Sequence, residues 1–154
     1  MQNPYESIIS VLKSNNITYE ELEHEPVYTS EQAARIRGLS LREGAKSLLL
    51  KTKDRFVLAV LPGDKRLDSK KLKKKLSVKD LRFATPDEVK EIMGCEIGAC
   101  YPFGNIIGIK PIVDQILAKN AFISFNPAVH NKSIKMKWID YKNLVNPELA
   151  NISQ

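Results

Sequence analysis

The sequence of 154 residues contains only two cysteines and two histidines, and this scarcity excludes several kinds of site. A small secreted domain held by disulfides would need more cysteines, so Cys95 and Cys100 do not predict a disulfide framework. His24 and His130 form no ligand-spaced cluster with each other or with the cysteine pair, as a structural zinc site would require. We therefore expect two small, semi-buried thiols, no metal and no cofactor.

Long apolar segments are also missing from the chain. No stretch approaches the roughly 20 apolar residues that a membrane-spanning helix needs. Residues 1–16 lack a basic segment followed by an apolar run, so no secretory signal is predicted. Hydrophobic residues make up 43% and charged residues 27%, as in soluble globular proteins. We expect a single domain over residues 1–154, with one core, no membrane partner and a cytoplasmic location.

Common catalytic motifs are absent as well. The sequence has no phosphate-binding GxxxxGKS or GxxxxGKT loop and no GxGxxG, HExxH or GxSxG motif. A nucleophile of the Ser-His-Asp type is not evident. An enzyme with this sequence would act mainly by positioning and electrostatics, with help from its own substrate.

Positive charge is the most distinctive feature that is present. The formal net charge is +6, and residues 64–82 carry nine Lys and Arg residues against three Asp residues. Such a block is typical of phosphate binding, although a solvated helix face would have the same composition. The block predicts a phosphate-binding helix face made of Lys70, Lys71, Lys73, Lys74 and Lys75.

Hydrophobic periodicity and capping residues predict alternating helices and short strands. The predicted helices are delimited by polar caps and glycine stops: after Asn3, from Thr29 to Gly38, after Asp68, from Thr85 to Gly94, and from Asp140 onwards. The predicted strands span residues 17–23, 45–50, 56–61, 81–84, 106–109, 121–125 and 133–139. Because hairpin-like pairs are mixed with the helices, we predict an α+β fold with a mixed, strongly curved sheet.

Three segments carry candidate chemistry. Lys46 opens an apolar run, so its ammonium either reaches solvent at the strand end or faces a pocket. Residues 98–104 (GACYPFG) combine flexible glycines with a stiff proline, which suits a loop that holds an oxyanion but also a plain structural turn. In residues 125–130 (FNPAVH), His130 either orients a substrate or bonds the turn backbone.

The chain resembles the YbaK/ProX family of aminoacyl-tRNA deacylases, which includes the editing domain inserted in bacterial prolyl-tRNA synthetases. The resemblance covers residues 28–141 and rests on six segments in order: TSEQAARIRG, GAKSLLLK, RFVLAVLPGDKRLD, ATPDEV, GCEIGACYPFGN and FNPAVHNKSIKMKWIDY. It implies a barrel-like sheet flanked by helices. It also implies ester hydrolysis without a protein nucleophile, assisted by the terminal adenosine hydroxyl or by a substrate thiol.

The resemblance assigns roles to individual residues. Lys46 matches the family's active-site lysine near the terminal ribose and phosphate, and residues 98–102 match its GxxxP loop against the scissile ester. The candidate catalytic residues are therefore Lys46, Gly98 and Ala99. The candidate substrate-binding residues are Tyr28, Cys100, Tyr101, Pro102, Phe103, Gly104 and His130. With a tRNA substrate implied, the lysines at positions 70, 71, 73, 74 and 75 become the candidate tRNA-binding residues.

The chain departs from the family pattern in two places. Residues 126–128 read Asn-Pro-Ala where many members have Asn-Ala-Gly, so we expect a reshaped turn near His130. Cys100 and Tyr101 are bulkier than the small residues common in the GxxxP loop, so we expect a narrowed pocket.

These observations predict a trans-editing hydrolase that removes a small amino acid (Ala, Ser, Cys or Thr) from tRNA, with the prolyl tRNA as one candidate and no DNA partner. A non-catalytic tRNA-binding module and a regulator that docks on a synthetase remain open as alternatives. A third alternative is a small-molecule hydrolase with Cys95 or Cys100 as nucleophile, for which the sequence shows neither an adjacent base nor a cause of thiol activation.

Overall fold

The fold is that of a computed structural model, which describes residues 3–38 and 40–154, the side chain of Arg37 excepted. Its helices are α1 (Pro4–Ser14), α2 (Ser30–Arg37), α3 (Ser69–Leu76), α4 (Pro86–Met93) and α5 (Trp138–Val145). Its strands are β1 (Tyr19–Glu23), β2 (Ala45–Thr52), β3 (Phe56–Pro62), β4 (Leu81–Phe83), β5 (Ile112–Asp114), β6 (Phe122–Phe125), β7 (Lys132–Lys137) and β8 (Glu148–Ala150). None of these helices is long and apolar enough to cross a membrane.

The helix boundaries follow the capping residues that the sequence offers. Thr29 and Thr85 each form a reciprocal capping box with the third helical residue of α2 and α4. The Asp68 carboxylate accepts hydrogen bonds from the first backbone N–H groups of α3. Gly38 and Gly94 take left-handed conformations and end α2 and α4. The helices predicted from these signals are therefore confirmed.

The strands form two sheets. One has the antiparallel order β1-β7-β6, and the other has the order β4-β2-β3-β5-β8, in which β3, β5 and β8 run parallel. Between described residues, one bridge from Gly44 to Ser124 links the sheets. The predicted α+β class with a mixed sheet is confirmed. The strands do not close into a barrel, because within the described residues the two sheets are joined only by the bridge at Gly44, the residue before β2, so the strongly curved, barrel-like form of the sheet stays a prediction.

Three local predictions need correction. Residues 106–109 form no strand, because a 3-10 helix at Gly104–Ile106 leads into a turn where Gly108 has a φ of +72°. Strands β5 and β8 were not predicted, since three residues are too short for a periodic signal. Helix α5 begins at Trp138 instead of Asp140.

The five-stranded sheet separates two hydrophobic clusters. Leu58 and Val60 of β3 face the larger cluster, which also contains residues of α1, α4, α5 and the three-stranded sheet. The intervening residues of β3 face the smaller cluster, which Leu72 of α3 covers. Strand β3 is therefore buried on both faces, which explains its nearly continuous apolar sequence.

The turn between β6 and β7 holds an alanine where glycine would be unstrained. Ala128 has a φ of +69°, a left-handed conformation that costs an L-residue about 1–2 kcal/mol. The Asn126 side-chain amide spans the turn by donating to the Lys132 carbonyl at 3.0 Å. At Ala128 the backbone thus takes a conformation that favours glycine, and a reshaping of the turn relative to the family stays a prediction.

We predict that Ala128→Gly raises the free energy of unfolding by about 0.5–1 kcal/mol, because the strain it removes exceeds the entropy that glycine adds to the unfolded chain. Ala34→Gly, inside α2, is the matched control and should lower the free energy of unfolding by about 1 kcal/mol. Chemical denaturation measures both variants. Shifts of the same sign would contradict the assigned turn conformation.

Candidate active site

A cleft of about 400 Å³ opens beside strand β2. Strand β4 pairs only with Leu50–Thr52, and β6 bridges only to Gly44, the residue before β2, so the edge between them has no partner strand among the described residues. The cleft lies along this open edge and is completed by residues of α2, α4, residues 97–100 and the end of β6. Both faces of β2 contribute, since Lys46 and Ser47 line the cleft together.

Lys46 is half-buried at the cleft wall. Its Nζ donates a hydrogen bond to the Lys65 carbonyl at 2.7 Å, on the loop that leads from β3 to α3. Burial lowers the pKa of Lys46 below its ordinary value, and the Glu31 carboxylate opposes this effect. Of the two interpretations that the sequence left open, the structure therefore favours a lysine that faces a pocket and is held there by a backbone carbonyl.

Gly98 and Ala99 differ in backbone conformation and hydrogen bonding. Gly98 is exposed with a φ of +92°, and a Cβ at this position would lie 3.2 Å from the His130 ring, so glycine is required. The Ala99 N–H donates to the Glu96 carbonyl at 3.0 Å. That N–H is already engaged in a turn, which corrects the expectation that Ala99 supplies an oxyanion donor.

The two cysteines form a buried thiol pair next to this loop. The hydrogen bond from Cys95 lowers the pKa of Cys100, burial opposes the shift, and the backbone N–H groups of Gly98 and Cys100 lower it further. The same hydrogen bond, with burial, raises the pKa of Cys95. The Gly98 and Cys100 N–H groups therefore lie toward the Cys100 sulfur and favour negative charge on it.

Tyr101 and Pro102, predicted to bind substrate, lie in the core beneath the loop. The Tyr101 hydroxyl donates to the Met93 carbonyl at 2.7 Å, and burial raises the pKa of Tyr101. The Tyr141 hydroxyl donates to the Pro102 carbonyl at 2.7 Å. These bonds attach the loop to the end of α4 and to α5. Neither Tyr101 nor Pro102 lines the cleft.

Phe103 and Gly104 have the same location. The Phe103 ring packs against Phe125 and against the edge of Tyr141, with centroid distances of 5.3 and 5.7 Å. A Cβ on Gly104 would lie 1.8 Å from the Ile109 carbonyl oxygen, so only glycine fits. The structure therefore brings Lys46, Gly98 and Cys100 to the cleft but places residues 101–104 behind it.

Tyr28 and His130 lie in successive layers at the cleft mouth. Tyr28 lines the mouth with 67% of its surface exposed, and its ring packs on His130 at a centroid distance of 4.5 Å. His130 Nδ1 lies 3.0 Å from the Val27 carbonyl, and its Nε2 lies 3.6 Å from a Glu96 carboxylate oxygen. His130 contacts Gly98 and Tyr28 but does not itself line the cleft.

Sequence reasoning missed two residues at the mouth. Phe83 and Ile97 are 58% and 53% exposed and line the cleft together with Tyr28. Both follow polar or charged neighbours in short segments, so no periodic pattern marks them. The one signal that the sequence offers for Phe83 is an aromatic residue within the short strand predicted over residues 81–84.

The lysines of α3 divide into two groups. The Lys71 ammonium donates to the Ser153 carbonyl at 2.8 Å, and Lys75 forms an ion pair with Glu148 at 2.8 Å. Lys70, Lys73 and Lys74 have no side-chain partner within the described part of the chain. These three cations are therefore available to an external anion. Within the same part of the chain, no three Cys, His, Asp or Glu side chains lie close enough to hold a metal ion.

Comparisons with known proteins agree with this architecture. The family model of the aminoacyl-tRNA editing domain matches residues 24–144. The chain belongs to the aminoacyl-tRNA editing domain family. It is 32% identical over 152 residues to the multifunctional Ser/Thr-tRNA deacylase ProXp-y of Escherichia coli strain K12, covering 96% of this chain and 91% of that protein.

Two further comparisons concern prolyl-tRNA synthesis. The chain is 36% identical over 91 residues to the proline–tRNA ligase of Fervidobacterium nodosum, a match that covers 59% of this chain and 16% of the ligase. A crystal structure described as a candidate trans-editing enzyme for prolyl tRNA synthetase superimposes with a TM-score of 0.88 at 20% identity, covering 100% of this chain and 99% of that chain. That likeness establishes the fold.

We predict that Tyr101→Phe lowers the free energy of unfolding by about 1–3 kcal/mol, because the buried Met93 carbonyl loses its donor. Tyr28→Phe makes the same chemical change on an exposed ring and should alter stability by less than about 0.5 kcal/mol. Thermal and chemical denaturation measure both. Equal effects would show that the Tyr101 hydroxyl does not hold the loop.

Proposed function

We propose that this protein is a trans-editing hydrolase that removes a small, wrongly attached amino acid from the 3′ end of a tRNA. The observation that carries this proposal is the cleft at the open edge of β2, which Lys46, Gly98 and Cys100 line together. A base poised to activate a protein nucleophile is not seen there among the described residues. Family membership, and a relative that acts as a Ser/Thr-tRNA deacylase, support the same activity.

The tRNA approaches through its phosphates. The unpaired cations Lys70, Lys73 and Lys74 on α3 attract the acceptor stem, and this attraction weakens as salt rises. Because relatives include proline–tRNA ligases, the prolyl tRNA is the first tRNA to test, and a synthetase is the first partner to test. We place this reaction in the cytoplasm.

The unpaired 3′ end enters through the apolar mouth. The terminal ribose carries the ester, so its base must lie close outside the cleft when the ester is inside. Phe83, Ile97 and Tyr28 surround that position and offer apolar surface on which an unstacked base can lie.

The chemistry follows from the groups around the ester. The N–H groups of Gly98 and Cys100, which lie toward the Cys100 sulfur, are the candidate donors for the negative charge that develops on the carbonyl oxygen. Lys46 binds ribose or phosphate oxygens. The oxygen of a water molecule, assisted by the neighbouring ribose hydroxyl, attacks the carbonyl carbon and gives up its proton. The ester C–O bond then breaks, and the ribose oxygen takes up a proton as the amino acid leaves.

We predict that Lys46→Ala lowers kcat/KM for deacylation by about 10- to 100-fold, because a charge-assisted hydrogen bond to the substrate is lost. Lys65→Ala is the matched control, since it removes a cation from the adjacent loop but keeps the carbonyl that holds Lys46. A panel of mischarged tRNAs provides the assay. Unchanged hydrolysis by Lys46→Ala would refute the role of Lys46.

The lowered pKa of Cys100 favours one second candidate, a hydrolase with a cysteine nucleophile. Normal turnover by Cys100→Ser in the same assay excludes it. If the unaltered protein hydrolyses no ester in the panel but binds tRNA in a salt-sensitive way, it is instead a non-catalytic binding module.

We predict that Phe83→Ala raises KM about tenfold with little change in kcat, because a stacking surface for an unpaired base is lost. Phe122→Ala is the matched control. Phe122 is 36% exposed and lies outside the cleft, beneath the Lys135 ammonium. Equal KM values for the two variants would place the base elsewhere.

A further inference from the structure

One buried hydroxyl in the cleft lacks a partner. Ser47 is 8% exposed, and its Oγ makes no hydrogen bond to any atom of the described residues. Burial of a hydroxyl without a partner is unfavourable, so such a group usually marks a place where another molecule binds. Ser47 lines the cleft and adjoins Lys46 in the chain.

Other buried serines of the described chain have partners. Ser133 Oγ lies 2.7 Å from His24 Nε2, and Ser153 donates to the Asp114 carboxylate at 3.0 Å. Ser124, which also lines the cleft, takes part in a further interaction. The other buried serine side chains therefore have interaction partners, and the hydroxyl of Ser47, which has none among the described residues, requires an explanation.

The position of Ser47 tells which part of a substrate it can meet. Because side chains alternate along a strand, Ser47 shares one face of β2 with Ala45 and Leu49, which belong to the larger hydrophobic cluster. Val89 and Cys100, of the same cluster, also line the cleft. This wall is small and apolar except for the Ser47 hydroxyl.

The charges of the residues that line the cleft determine which polar group of a substrate side chain can bind beside Ser47. Lys46 is the charged side chain among the described lining residues, and none of them is a carboxylate. An ammonium group in this wall would lose water without gaining a counter-charge. A neutral hydroxyl can both donate to and accept from Ser47 Oγ without that loss.

We propose that Ser47 Oγ binds the side-chain hydroxyl of a seryl or threonyl ester and thereby sets the amino acid specificity. This inference rests on the proposed deacylase function. A seryl group completes the hydrogen bond of Ser47, whereas an alanyl group of nearly equal size leaves it unmade. The site therefore prefers hydroxyl-bearing esters over alanyl esters.

The test uses one tRNA charged with serine or with alanine, and compares the intact protein with Ser47→Ala. The ratio of kcat/KM for the seryl over the alanyl ester should fall about tenfold or more, through loss of seryl hydrolysis alone. The melting temperature of Ser47→Ala should stay equal or rise, because the variant removes an unsatisfied hydroxyl. Ser133→Ala, a buried serine outside the cleft, should lower the melting temperature and leave the ratio unchanged.

Two results would count against the inference in distinguishable ways. Hydrolysis of both esters with an unchanged ratio in Ser47→Ala overturns the role of Ser47 and leaves the deacylase function standing. Hydrolysis of neither ester, nor of any other in the panel, by the intact protein overturns the proposed function and this inference with it.

Discussion

An incompletely paired strand is the constraint on which the site depends. Strand β4 pairs with three residues of β2, and β6 bridges to Gly44, the residue before β2. The backbone edge between these two points therefore borders a cleft and not another strand. Strand β3 satisfies the other edge of β2 along its length and is itself buried on both faces. The cleft can therefore stay open because the rest of the sheet is rigid and fully paired on its inner side.

The loop at residues 98–104 is held in place by contacts with the core. Two tyrosine hydroxyls bind backbone carbonyls at its base, and Phe103 fills the space beneath it. Residues 101–104, which were predicted to bind substrate, are thus supports, and Gly98 and Cys100 are the residues of this loop that line the cleft. Large buried side chains are needed to hold a loop backbone in one position, which explains why aromatic residues lie next to glycines here.

Much of the fold was predictable from the sequence, for local reasons. Capping residues and glycine stops define α2 and α4, and apolar runs define the β2–β3 hairpin. Strands β5 and β8 escape prediction because three residues carry no period, and their pairing is fixed by contacts distant in sequence. For the site, the sequence pointed to Tyr28, Lys46, Gly98 and Cys100, which all line the cleft. It could not reveal that the Ala99 N–H is engaged, or that Phe83, Ile97 and Ser47 border the cleft, because each depends on tertiary packing.

The bridge between Gly44 and Ser124 has a mechanical consequence. It is the one backbone bridge between the two sheets in the described chain, and the cleft lies at the boundary between these sheets. Along β2 the wall is stiff, since the ladder with β3 resists stretching. Across the boundary between the two sheets, the width of the cleft depends on side-chain packing, above all on Phe125. This residue lines the cleft and also packs on Phe103. The site is therefore compliant in one direction only, and substitutions in the core would change its aperture without touching a residue that meets the ester.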